Sequence, residues 1–244
     1  MESTMQCVSL SLFRFDGVAA RSWAFAMMGA ARPSMARVPG LRFWKLCGSG
    51  TGEGFTPFPN TAVYAVLGAF ESDSAAREAT KTARAWRLFR SRASEDWTLF
   101  LRPISARGAW SGEAPFRIAE DSGDGPIAAL TRATIKPSVA ARFWQRVPDI
   151  SEVIGSDPNV LFKIGIGEVP LLHQITFSVW PDAESMAQFA RNGGPHSDAI
   201  RAVRTGAWFR EELYARFRIV GEMGRWPGID ARLAPDPAPL EATI

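Results

Sequence analysis

The stretches LRFWKLCGSGTGE (residues 41–53) and VLFKIGIGE (residues 160–168) share one order of features: an apolar run with a lysine, alternating glycines, then a glutamate. Each leads into a segment of β character, residues 61–70 after the first and 173–180 after the second. A second echo follows, because Phe70-Glu71-Ser72-Asp73 opens a helix much as Trp180-Pro181-Asp182-Ala183 does. Each half then closes with a strand and a glycine-tryptophan corner, at residues 97–110 and 213–226. Features repeated in a fixed order argue for duplication, and two copies do not make a solenoid.

Hydrophobic period supplies the elements within each copy. Val8, Leu10 and Leu12 alternate with Ser9 and Ser11, and residues 127–135 are the counterpart. A helix with Trp23, Phe25, Met27 and Met28 follows in one half, and one with Val139, Phe143 and Trp144 in the other. Two strands come next in each half, at 41–46 and 61–70, and at 160–166 and 173–180. The second helices are expected at about 74–92 and, with an interruption, 183–212. The last strand alternates Leu213, Ala215, Phe217 and Ile219 with Tyr214, Arg216 and Arg218.

The order β, α, β, β, α, β, twice over, predicts an α+β fold of two ferredoxin-like repeats of the dimeric α/β-barrel type, with antiparallel sheets and helices on one face. The repeats are expected at 5–110 and 127–228. Residues 111–126, rich in glycine, proline and acids, read as a linker, and residues 232–244, with three prolines, as a mobile tail. The bare sheet faces require covering, within the chain or between chains, which is compatible with a homo-oligomer.

An apolar fraction of 46% is enough for a sizeable core, so the chain is globular. A net charge of +3, without a basic stripe, gives no electrostatic case for nucleic acid. Cys7 and Cys47 are too few for a disulfide framework and suit a reducing compartment. The opening segment lacks the features of a signal peptide, and no apolar stretch is long enough to span a bilayer, so a cytoplasmic location is expected.

The glycine series Gly48, Gly50, Gly52 and Gly54 lacks the Gly-Lys-Ser/Thr ending of a phosphate loop and lies between strands, so it reads as a hairpin connection before a ligand loop. Nine tryptophans and sixteen phenylalanines suit core, or large apolar cavities. The two histidines differ. His173 begins a strand on the face of Ile175, Phe177 and Val179, where a lone histidine is commonly core or edge. His196 lies in Arg191-Asn192-Gly193-Gly194-Pro195-His196, a break without an equivalent in the first copy. The glycines and proline set up a new helix start, leaving His196 either a cap or a ligand.

Six stretches together resemble the spheroidene monooxygenases, carotenoid oxygenases of photosynthetic bacteria. They are RSWAFAMMG from Arg21, RFWKLCGSGTGEGFTPFPNTAVYAVL from Arg42, SARGAWSGEAPF from Ser105, HQITFSVWPD from His173, GPHSDAIRAVR from Gly194 and GAWFREELYARF from Gly206. The resemblance implies a haem b (iron) oxygenase that places a ketone beside the methoxylated end of a linear carotenoid, spheroidene to spheroidenone. O2 and electrons from a reduced [2Fe-2S] ferredoxin would be consumed, and two oxygenations at one carbon would give a gem-diol that loses water.

A b-type haem needs an axial ligand in an apolar pocket, commonly histidine. By analogy with the chlorite dismutases, haem proteins of paired ferredoxin-like units that use a helix histidine in the C-terminal half, His196 is the first candidate for the metal and His173 the second. Glu168 or Asp198 would orient the imidazole, and Arg216 or Arg218 would bind a haem propionate or polarise bound oxygen. So insoluble a substrate implies peripheral contact with the inner or photosynthetic membrane. The competing readings are a cofactor-free binding protein on the same scaffold, and a haem enzyme of peroxidase or dehydratase chemistry.

Overall fold

A computed structural model describes residues 5–51, 56–121, 123, 125–145, 158–191, 208–229 and 232–234. His196 and Asp198 fall outside the described residues. The first half contains β1 (Cys7–Arg14), α1 (Gly17–Ala30), α2 (Arg32–Met35), β2 (Leu41–Gly50), β3 (Pro59–Phe70), α3 (Asp73–Thr82), α4 (Arg84–Arg90) and β4 (Glu95–Gly108). The second half contains β5 (Ile127–Ile135), a 3-10 turn (Pro137–Val139), β6 (Phe162–Gly167), β7 (His173–Trp180), α5 (Ala183–Arg191) and β8 (Phe209–Gly224).

The eight strands close one antiparallel barrel in the order β1-β3-β2-β6-β7-β5-β8-β4. Within each half the order is the same, fourth, first, third, second, so the halves meet second strand to second and fourth to fourth. The bare faces are therefore covered within the chain. The β4·β8 seam is long, from Trp97↔Gly224 to Gly108↔Leu213. The β2·β6 seam is short, with Gly48↔Gly167 and Ser49↔Ile166 in register.

Alternation along each strand explains the closure, since one set of side chains turns inward and must be dry. Val8, Leu10, Leu67, Leu99, Leu130, Phe177 and Phe217 are among the buried residues filling the barrel. Burying one such side chain stabilises by about 1.5–3 kcal/mol. Chain segments seal the ends. Trp110 and Phe116 plug the end where His173, Thr134 and Glu211 lie, while Trp226, Leu233 and Ala234 pack at the other.

The segment expected as linker is thus tied down: Gln6 donates to the Pro115 carbonyl and accepts from Arg117 N–H. The beginning of the expected mobile tail is also buried at Leu233 and Ala234. Burial against the barrel outweighs the turn-rich composition of both.

Several boundaries differ from the sequence reading. β2 runs through Gly48 to Gly50, because the glycines form the seam rather than a free hairpin. A side chain at Gly167 would collide with the His173 carbonyl, which is why this crossing takes glycine. The second helix of the first half breaks at Ala83, whose extended ψ of 140° separates α3 from α4. In the second half the expected helix to 212 is overridden from Phe209, where the β5 ladder captures the chain as β8. The repeated helix openings are real N-caps: Ser72 Oγ accepts from Ala75 N–H at 3.2 Å, and Asp182 Oδ1 from Ser185 N–H at 2.7 Å.

Candidate functional site

The outer faces of the strands differ sharply between the halves. On the first, Phe13, Leu46, Tyr64, Val66, Phe70 and Phe100 are buried under α1 to α4, with Trp86 and Phe89 supplied by α4. On the second, alternation with the inward Leu130, Ile164, Ile166, Ile175 and Phe177 turns outward Ala129, Thr131 and Ala133 of β5, Gly165 and Gly167 of β6, and Gln174, Thr176 and Ser178 of β7. This surface is a floor of small and polar residues. Ile127, Trp180 and Met186 form a compact apolar cluster at one side of it.

An apolar groove of about 350 Å³ leads to the edge of the floor at the β2·β6 seam. Phe25, Met28, Phe58, Tyr64, Trp144 and Leu171 supply its apolar walls, and Gly167 and Gln174, members of the floor, line it as well. Trp144 Nε1 donates to the Leu171 carbonyl at 3.0 Å, holding the β6–β7 loop against a helical segment at 140–145. Leu171 takes a left-handed φ of 66°, which places local strain in that loop.

Behind the floor, at the barrel end, lies a partly buried charge network. Glu168 accepts from Trp110 Nε1 at 2.7 Å and pairs with Lys45 Nζ at 3.1 Å. Glu211 accepts from Arg132 Nη1 at 2.8 Å, from Ser111 N–H at 2.6 Å and from Gly112 N–H at 3.1 Å. Lys45 also donates to Ser111 Oγ at 2.7 Å. Two cations thus face two carboxylates around an indole, and Arg132 is only 2% exposed. Burial opposes the Glu211 charge, but Gly112, Ser111 and Arg132 together outweigh it and hold the carboxyl below its ordinary value.

His173 Nδ1 stands 3.8 Å from Glu168 Oε1. Burial pushes its pKa down, Glu168 opposes this, and Arg132 and Lys45 add to the depression. His173 Nδ1 and Arg132 Nε are buried without a hydrogen-bond partner among the described residues.

The barrel therefore brings Glu168 and His173 together on its inner side. It separates them from Arg216, which is exposed on the outer face opposite Ala129 in the ladder. Arg218 holds Asp121 through two bonds of 2.7 and 3.0 Å and donates to the Gly125 carbonyl, tying the connecting segment to β8. This pairing lowers the Asp121 pKa. The sequence reading did not single out Lys45, Trp110, Arg132 or Glu211 as site residues. Arg132 was discoverable, since it shares strand parity with the inward Ala128 and Leu130. Both cysteines are buried, and burial pushes the Cys7 thiol up to about 12, in keeping with small core residues.

The fold sets the class: a closed antiparallel α/β barrel like that of aldoxime dehydratases. One crystal structure of such an enzyme superposes with a TM-score of 0.62 at 14% identity, over 96% of this chain and 90% of that one. A second, in complex with butyraldoxime, gives 0.63 at 10% identity over 93% and 85%. No family model matches the chain. Its sequence is 52% identical over 229 residues to the spheroidene monooxygenase of Rhodobacter capsulatus, covering 93% of this chain and 95% of that protein. It is 48% identical to the spheroidene monooxygenase of Cereibacter sphaeroides over 98% and 77%, and 35% identical to that of Rubrivivax gelatinosus over 86% and 81%. The chain belongs to the spheroidene monooxygenase family and is an oxygen-dependent monooxygenase, an oxidoreductase.

Proposed function

We propose that the chain converts spheroidene to spheroidenone, placing a 2-keto group on a linear carotenoid with haem b, O2 and electrons from a reduced [2Fe-2S] ferredoxin. The observation that carries this reading is the meeting of an apolar groove with a floor of small residues. A long polyene enters such a groove by shedding water, and a flat macrocycle lies on a surface free of bulky side chains.

The small side chains of the floor support a haem there. On the floor, Ala129, Thr131, Gly165 and Thr176 leave room for a planar group, and the exposed Arg216 beside Ala129 suits a haem carboxylate. Arg218 is the weaker candidate, because Asp121 already neutralises it. His173 belongs to the opposite face of the sheet, which supports His196 as the axial ligand, with His173 and Glu168 in a supporting role inside the barrel. Haem, once bound, supplies the activation of dioxygen.

The chain's own residues do the rest. Phe25, Phe58 and Trp144 hold the polyene by its apolar faces and exclude water, while Gly167 and Gln174 bring its end to the floor. Lys45 and Arg132 pair with Glu168 behind that surface. Oxygenation twice at one methylene gives a gem-diol, whose loss of water leaves the ketone.

The architecture supports a fused pair of ferredoxin-like units, since both halves share one strand order. One copy is then devoted to packing and the other to the cofactor.

The direct test supplies purified, haemin-loaded protein with spheroidene, reduced ferredoxin and isotopically labelled dioxygen. The expected product is a ketone that carries the label. Product formed with peroxide alone, and none with ferredoxin and dioxygen, would replace the monooxygenase reading by a peroxide-driven one.

A further inference from the structure

We infer that the outer face of α1, together with Phe58 and Leu171, docks the protein on an anionic lipid surface, with the mouth of the groove turned toward the bilayer. This rests on the proposed function in one respect, that an apolar polyene arrives from lipid.

The first observation is the composition of α1. Its inward side carries Ala24 and Met27, buried in the core of the first half. Its outward side carries Val18, Ala19, Ser22, Phe25, Ala26, Gly29 and Ala30, all exposed and none charged. Val18 is 82% exposed and Phe25 72%. A helix facing only water normally places charged groups on that side; this one presents apolar and small groups to it.

The second observation is continuity. Phe25 both projects from that face and lines the groove, and Phe58, 70% exposed, and Leu171, 42% exposed, line the same groove. Three exposed apolar side chains, Phe25, Phe58 and Leu171, thus gather at the groove. A cavity of about 350 Å³ is at the small end for ligand sites, so a long polyene inserts one end and leaves the remainder outside. Lipid shelters that remainder; water does not.

Charge selects the kind of surface. From Gly17 to Gly40, the span of α1 and α2, the chain carries Arg21, Arg32 and Arg37 and no acid. Arg32 and Arg37 are exposed beyond the end of α1, and Arg142 is exposed next to the groove residue Trp144 on its helix. Cations flanking an apolar patch match anionic headgroups around an acyl surface. A second copy of the chain would bring the same basic flanks against one another, which disfavours self-association here.

Vesicle flotation tests the assignment without haem or turnover, so its outcome is separable from that of the proposed reaction. Wild-type protein should float with phosphatidylglycerol-rich vesicles and at least tenfold less with phosphatidylcholine vesicles. Val18→Glu and Phe25→Glu, both at exposed positions and with melting curves like the wild type, should each lower the bound fraction about tenfold. Ile118→Glu, at another exposed apolar residue on the segment joining the halves, should not. The proposal fails if wild type stays out of anionic vesicles, if Ile118→Glu releases the protein as fully as Phe25→Glu, or if Phe25→Glu merely turns a dimer into a monomer while vesicle binding persists.

Discussion

The two halves wrap one barrel with the same strand order, yet dress their outer faces in opposite ways. Under α1 to α4 the first carries stacked and tilted aromatic pairs, Phe13 with Phe89 at 5.3 Å and Phe70 with Trp86 at 6.0 Å. One buried polar cluster is paired there: Trp86 Nε1 and Thr98 Oγ1 both donate to Ser11 Oγ. The second presents alanine, glycine, threonine and serine at corresponding places. Bulky rings close a face for stability, and small residues leave a face able to take a ligand. The first half thus packs its outer face with rings where the second keeps small side chains.

The largest effect that could break this contrast is Trp86→Ala. It should destabilise by about 3–5 kcal/mol in chemical denaturation, as removal of a buried ring does. Thr176→Ala on the opposite floor should change stability by less than about 0.5 kcal/mol. Equal losses at the two sites would end the division between a packing face and a ligand face.

Next in size is Glu168→Gln, which removes the carboxylate from Lys45 and Trp110. A loss of about 1.5–3 kcal/mol is expected, and Lys45→Met with Glu168→Gln should recover part of it. A full, additive loss in the double variant would show that the two side chains are not coupled.

Thr176→Trp then fills the floor while leaving the barrel interior untouched. It should lower haem uptake about tenfold, which corresponds to about 1.4 kcal/mol, and leave the melting temperature of the haem-free protein nearly unchanged.

The smallest effect is a dependence on pH. With its pKa depressed in the folded state, His173 is held neutral, and the unfolded chain binds the extra proton. Its contribution to stability is therefore complete above the ordinary value of 6.5 and is lost as pH falls through the lower folded-state value. His173→Gln should flatten the stability curve in that window; an unchanged slope would mean another group titrates there.

Much of this was readable from residues alone. The glycine echo at 48–53 and 165–168 and the paired N-caps Ser72 and Asp182 pointed to the strand order that the halves share, since local chemistry fixes both. The outer face of α1 did not stand out as an anchor in the sequence, although its fourteen residues include Arg21 as their sole charge. The charge network was not visible either, because Lys45, Trp110, Arg132, Glu168 and Glu211 come from separate strands and a connecting segment. Only closure of the barrel brings them together, and no local period marks such a meeting. The burial of the connecting segment and of residues 232–234 was hidden for the same reason: turn residues announce irregular backbone, but not whether Phe116 or Leu233 is buried.

The visible spectrum of haemin-loaded protein probes the ligand face most directly. A Soret band is expected in the wild type, retained in His173→Ala and abolished in His196→Ala, with Thr176→Trp weakening it. A band that survives His196→Ala but vanishes in His173→Ala would move the iron to the inner side of the barrel and contradict the assignment of the floor.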